Sequence, residues 1–206
     1  MSLEANWNFP THIRIGSGRL KEIGQCCSDL SIFNPLVVTD KNLGDNEITT
    51  FLKNELNSLK LPHSVFSQVD SNPTEINLIQ GLEILKEGGF DGVIAFGGGS
   101  ALDLGKLLAF MIAQDLPVWE FEDLSDNWKR ANTEGILPII AIPTTAGTGS
   151  EVGRAGVLTD SVNKIKKVIF HPEMLPKSVI CDPNLSCKLP QKLTAGTGMV
   201  AFSHCL

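Results

Sequence analysis

Gly92-Val93-Ile94-Ala95-Phe96 runs without a break into Gly97-Gly98-Gly99-Ser100-Ala101-Leu102-Asp103-Leu104-Gly105-Lys106. The first five residues read as a strand and Ala101 to Ala113 as a helix, so the glycines occupy a strand-to-helix turn. Three successive glycines let the backbone approach a ligand without Cβ clashes. Free N–H groups at the start of a helix, together with its dipole, favour a phosphate or pyrophosphate. Ser100 and Asp103 stand at capping-box spacing, which gives them a structural use as well. The plainer alternative is a turn that only packs tightly, because the run is not the GxGxxG fingerprint.

Outward from that turn, short apolar runs alternate with longer amphipathic ones. Leu36-Val37-Val38-Thr39 reads as a buried strand ending at Asp40, and Ile48 to Leu59 carries apolar residues at helical spacing. Ser64 to Val69 reads as a strand, Asn72-Pro73-Thr74 as a turn with a helix N-cap, and Glu75 to Lys86 as a helix. Downstream, Ile136 to Ile142 is a further buried strand, with Pro138 near its start or at an edge. Val157-Leu158 and Lys167 to Phe170 form a small hairpin, Ser178 to Cys181 a strand, and Ser125 to Gly135 a polar surface loop. This order predicts an α/β fold with a mostly parallel sheet and helices on both faces, over residues 1–188. Leu189-Pro190 then opens a helix in which Val200, Ala201, Phe202 and Leu206 are left uncovered. The expectation for 189–206 is a truncated unit, or one covered by another subunit, and self-association of the chain through that face.

Composition narrows the function classes. The 206 residues are 42% hydrophobic and 19% charged, with 23 acidic against 17 basic side chains and a net charge of −6. That apolar share builds a packed core, and the acidic balance argues against a nucleic-acid or anionic-membrane surface. No stretch approaches the roughly 20 apolar residues of a membrane span. The segment around Glu4 has no signal-like core. Five cysteines (Cys26, Cys27, Cys181, Cys187, Cys205) without CxxC spacing suit a reducing compartment. A cytoplasmic protein is expected.

A second candidate loop follows the Ile136–Ile142 strand: Pro143-Thr144-Thr145-Ala146-Gly147-Thr148-Gly149-Ser150-Glu151. Its hydroxyls and glycines can wrap phosphate or ribose oxygens, or they form an ordinary surface loop. Two such loops after strands of one open sheet share its carboxyl edge, where ligands bind. Asp40, at a strand end, can accept hydrogen bonds from ribose hydroxyls and would repel a 2′-phosphate, favouring NAD over NADP; alternatively it serves the Asp40-Lys41-Asn42 turn. The four histidines show no HxxH or HExxH spacing, the cysteines are too irregular for zinc, and tyrosine is absent. No catalytic residue follows from order alone.

Taken together, the Phe9-Pro10-Thr11 start, the Asp40 strand end and Ser71-Asn72-Pro73-Thr74 resemble the iron-containing (group III) alcohol dehydrogenases. So do Gly97-Gly98-Gly99-Ser100-x-x-Asp103-x-x-Lys106, the Pro143–Glu151 run, Asp182-Pro183-x-Leu185, Leu189-Pro190 and Thr194-Ala195-Gly196-Thr197-Gly198-Met199. Relatives of glycerol dehydrogenase or dehydroquinate synthase share the architecture but fit the Thr-rich loop and the Thr194–Met199 run less well. The resemblance implies a Rossmann-like dinucleotide-binding domain followed by an all-helical, metal-bearing domain. It implies that Asp40 and Asn72 serve the adenosine half and nearby groups, that Gly98, Gly99, Ser100 and Asp103 hold the central part, and that Thr144, Thr145, Thr148 and Lys166 complete the NAD site. It further implies a divalent iron or zinc acting on the alcohol oxygen, a hydride passed to the nicotinamide, a small alcohol or aldehyde as substrate, and a homodimer. The family ligates metal with an Asp followed four residues later by a His; here these positions are Val200 and His204. His204 is thus the one family ligand of four that the chain carries. A dinucleotide-binding module or inactive paralogue without redox turnover is the alternative reading.

Overall fold

The computed structural model describes residues 10–206; Glu4 and Phe9, used above, lie outside the described residues. Strand β4 (Gly92–Gly97) is buried along its whole length. It pairs in parallel with β2 (Pro35–Asp40) on one side and β5 (Ile139–Pro143) on the other. β3 (Ser64–Val69) flanks β2, and β8 (Ser178–Cys181) and β1 (His12–Ile15) complete a six-stranded parallel sheet of order β1-β8-β5-β4-β2-β3. From β2 the chain steps outward to β3, then returns across β2 to β4. The strand order therefore reverses between β2 and β4, at the place where open α/β sheets bind ligands.

Alternation along the strands feeds two apolar layers. Leu36, Val38 and Val93 pack with α3 (Glu75–Gly88) and α4 (Gly99–Met111) on one face. Val37, Ile94, Phe96 and Ile140 pack with α1 (Ile23–Asp29) and α2 (Glu47–Ser58) on the other. The architecture is Rossmann-like, with helices on both faces as the sequence predicts. α4 is pressed unusually close to the sheet, since a Cβ added at Gly105 would lie 2.6 Å from Cβ of Ala95. Its other side is covered by β6 (Ala155–Asp160) and β7 (Ile165–Phe170), an antiparallel hairpin outside the main sheet.

Several expected boundaries move for physical reasons. The strand expected from Ile136 begins at Ile139, because Pro138 has no N–H to give the ladder, although its carbonyl accepts from Val93 N. The hairpin is longer than Val157-Leu158 suggested and turns through Asp160, whose carboxylate accepts from Val162 N and Asn163 N. Thr74 caps α3 in a reciprocal capping box with Asn77. The capping box expected of Ser100 and Asp103 does not form: the N-cap of α4 is Gly98, which has no side chain to offer. The Ser125–Gly135 loop contains one short 3₁₀ turn, Asn127–Arg130. The helix after Pro190 is α5 (Gln191–His204), none of whose residues is buried. Phe202 is 55% exposed and Leu206 92% exposed. No helix among the described residues is long and apolar enough to cross a membrane.

Candidate functional site

Three strand ends converge at the reversal point. β4 leaves the sheet through Gly97 at φ +146°, a backbone region that side chains rarely adopt. The chain then enters α4 directly, and the first N–H groups of that helix have no intrahelical acceptors. The loop after β5 closes over this start, with Thr144 N donating to Gly97 O at 2.9 Å. A Cβ on Gly99 would meet Thr148 Cγ2 at 2.9 Å, and one on Gly98 would meet Thr145 Oγ1 at 3.4 Å. The Thr145 and Thr148 side chains of that loop therefore pack directly against the two glycines that open α4.

Two adjoining cavities share Ser71, Gly99 and Ser100. The larger, about 650 Å³, is lined by Asp40, Lys41, Gly98, Thr144, Thr145 and the start of α5 near Leu189 and Leu193. The smaller, about 490 Å³, is lined by Asn72, Asp103, Lys106, Thr148 and Lys166. All ten residues expected to serve a dinucleotide thus line one or other cavity, although they come from five separate stretches of chain. Asp40 combines both of its sequence readings. Its Oδ1 accepts from Asn42 N and Leu43 N at 3.0 and 3.2 Å, making the turn, while its Oδ2 has no hydrogen-bond partner among the described residues. Lys166, on β7, is exposed and makes no ion pair among the described residues.

Asp103 is engaged more deeply than the sequence suggested. Its Oδ1 accepts from the Ser150 hydroxyl and its Oδ2 from Val157 N at 3.1 Å. Lys106, which is 1% exposed, sits 3.1 Å from Asp103 Oδ1. Its ammonium donates to Ser150 O at 2.9 Å and to Ala155 O. Burial pulls the Lys106 pKa below the ordinary lysine value, and the Asp103 carboxylate opposes that pull. Asp103 and Lys106 thus stitch α4 to the Thr-rich loop and to β6. Ser71 joins the same wall, its carbonyl accepting from Ser100 Oγ at 2.6 Å. Lys106, Ser71 and Ser150 stand in the motifs quoted above without a site role there; apart from the Asp103–Lys106 pair, their partners lie 29 to 49 residues away.

His204 stands apart from both cavities, at the end of α5. Its Nδ1 lies 2.7 Å from Gly147 O. A carbonyl only accepts, so Nδ1 is the donor in this contact. Gly147 takes φ +98°, and an added Cβ there would meet Thr197 O at 2.5 Å and Ala201 N at 2.8 Å, so the α5 backbone is seated on this glycine. Val200 contributes no lone pair. Among the described residues no group of three or more His, Cys, Asp or Glu side chains is placed to hold a metal ion, so the described residues do not by themselves fit an iron or zinc ion.

Comparison with known proteins places this geometry. The model of the family described as "Iron-containing alcohol dehydrogenase" matches residues 10–183. The chain belongs to the iron-containing alcohol dehydrogenase family. It is 36% identical over 199 residues to 4-hydroxybutyrate dehydrogenase of Cupriavidus necator, covering 96% of this chain and 51% of that protein. It is 29% identical over 201 residues to the NAD-dependent methanol dehydrogenase of Bacillus methanolicus, covering 98% and 51%. Sulfoacetaldehyde reductase from Bifidobacterium kashiwanohense, crystallised in complex with NAD+, superposes with a TM-score of 0.86 at 32% identity, over 97% of this chain and 51% of that one. The chain spans about half the length of these relatives.

Proposed function

We propose that this chain is the NAD-binding half of an alcohol dehydrogenase that exchanges hydride between a small alcohol or aldehyde and NAD. The observation that carries the reading is that Asp40, whose Oδ2 is unpartnered among the described residues, and the Gly98–Gly99 start of α4 line one cavity at the sheet's reversal point. The relative with bound NAD+ and the NAD-dependent relative support the same cofactor. In this assignment Asp40 Oδ2 accepts from the adenosine ribose hydroxyls, and Asn72 lies along the neighbouring cavity. The amides around Gly98, Gly99 and Ser100 receive the pyrophosphate, and Thr144, Thr145, Thr148 and Lys166 frame the remainder. Asp103 acts through the hydrogen bonds that hold the Thr-rich loop in place. When bound, the nicotinamide supplies the hydride chemistry.

The described residues do not by themselves assemble an iron or zinc site, so no step is assigned to a metal here, and His204 is proposed only as a single prospective ligand. The same observation, with Val200 at the expected carboxylate position, favours a second reading: a dinucleotide-binding module without turnover. NADH titration of the chain and of Gly99→Val tests the binding assignment. The variant is expected to weaken binding at least about tenfold by pushing into Thr148 and blocking the backbone; an unchanged Kd in a folded variant returns the loop to a packing role. Metal stoichiometry after anaerobic exposure to ferrous iron or zinc, followed by an alcohol panel with NAD, separates the two readings. Turnover selects the dehydrogenase, and NADH binding without turnover selects the module.

A further inference from the structure

Two lysines line the 650 Å³ cavity that contains Asp40, and each is matched by an acid. Lys41 Nζ lies 2.6 Å from Asp70 Oδ1, and Lys188 Nζ lies 2.5 Å from Glu47 Oε1. Lys41 directly follows Asp40 at the end of β2, and Asp70 directly follows β3, so the pair bridges two neighbouring strand ends. Asp70 is also anchored from behind. Asn77, 3% exposed, donates through Nδ2 to Asp70 Oδ2 and to Gln68 O, both at 2.9 Å. The same Asn77 accepts from Thr74 N at 3.0 Å as part of the α3 cap. Lys41 foremost, then Asn77, hold the Asp70 carboxyl below its ordinary pKa.

We propose that Asp70 is a specificity-determining residue: by neutralising Lys41 it withholds from a 2′-phosphate the cation that follows Asp40 in the chain, so that two carboxylates reject NADP(H). The proposal rests on the dinucleotide reading above. A dinucleotide with a free 2′-hydroxyl needs only an acceptor at that point, which Asp40 supplies. A 2′-phosphate brings up to about two negative charges and needs a cation nearby. Lys41 stands in the right place along the chain, yet its charge is already engaged. Its side chain and that of Asp70 are 50% and 47% exposed, so the pairing is easily broken by substitution and responds to salt.

The test is calorimetric titration of the whole chain with NADH and with NADPH at low ionic strength. The proteins are the wild type, Asp70→Asn, Asp70→Ser and the double variant Asp70→Asn/Lys41→Met. Asp70→Asn keeps an oxygen for Asn77, and Asp70→Ser serves as the second probe should the amide disturb the α3 cap. Either single variant is expected to lower the ratio of NADPH to NADH dissociation constants about fivefold. The double variant is expected to return the ratio to its wild-type value, and 0.5 M salt to shrink the change. If NADH binds but the ratio does not move in either Asp70 variant, or the double variant keeps the lowered ratio, Asp70 is no more than a helix anchor and the dinucleotide reading stands without it. Failure of the wild type to bind either dinucleotide overturns both.

Discussion

α4 and α5 are helices of 13 and 14 residues, yet ten residues of α4 are buried and none of α5 is. Each contains two glycines. In α4, Gly105 exists because Ala95 on β4 leaves no room for a Cβ; in α5, a Cβ on Gly196 or Gly198 would meet nothing within 4 Å. The same residue type thus records tight packing in one helix and no packing constraint within the described structure in the other. α4 is held between sheet and hairpin, and its charged residues face inward to bind other segments. α5 rests on the body through the Gly147 contact and the His204 hydrogen bond. The 4-hydroxybutyrate dehydrogenase relative is about twice as long as this chain.

Breaking the packed side of this comparison should have the largest effect. Gly105→Val drives branched carbons into Ala95 and is expected to destabilise the protein by about 3 kcal/mol, read as a shift in the urea midpoint. Lys106→Met should follow at about 2 kcal/mol, since it strips the Asp103 carboxylate and two carbonyls of a buried partner. A pH series adds a signature. With the folded-state pKa of Lys106 depressed below 10.5, the unfolded chain binds more protons between the two values. This group's contribution therefore makes stability rise as pH climbs toward 10.5, and Lys106→Met should lose that slope.

Thiol chemistry sharpens the same division without altering stability at neutral pH. Cys187 and Cys205 are exposed while Cys26 and Cys27 are buried on α1. An aromatic disulfide reagent at pH 8 should label the first two quickly and the second two only on unfolding. Burial pushes the Cys27 thiol up to about 12. Its neutral form therefore supports the fold fully below pH 9, and that support is lost as pH rises from 9 toward 12. Rapid labelling of Cys27 in the native protein would contradict the packing described. The smallest effect is expected at the open end: Gly196→Ala should strengthen α5 by about 0.8 kcal/mol through backbone propensity alone. Hydrogen exchange in that helix would slow severalfold while the global midpoint stays in place.

The stretch from Gly92 to Lys106 was legible because strand, turn and buried helix follow one another and need no distant partner to be recognised. β2 and β8 were legible as short apolar runs, and β3 through Val65, Phe66 and Val69 among polar residues. β1 was not, because it is an edge strand whose residues are mostly exposed, and α1 was missed because it is a seven-residue helix whose buried positions include Cys26 and Cys27. The ten candidate cofactor residues followed from the family resemblance, and they line the two adjoining cavities. What their side chains do there was not legible. Asp103 meets Val157 across 54 positions and Lys106 meets Ala155 across 49, and spacing along a chain carries no information about pairs formed only when the hairpin folds back over α4.

The stitching around Lys106 also bears on how fast the cavities can fill. With Asp103, Lys106 and Ser150 joined to one another and to β6, the Thr-rich loop is ordered by folding itself rather than by its guest. A visitor therefore meets a preshaped mould and does not wait for a flap to settle. Stopped-flow traces of NADH arrival should accordingly be single exponentials whose rate climbs linearly with concentration. Loosening the stitch in Lys106→Met should introduce a plateau, as settling of the loop becomes the slow event.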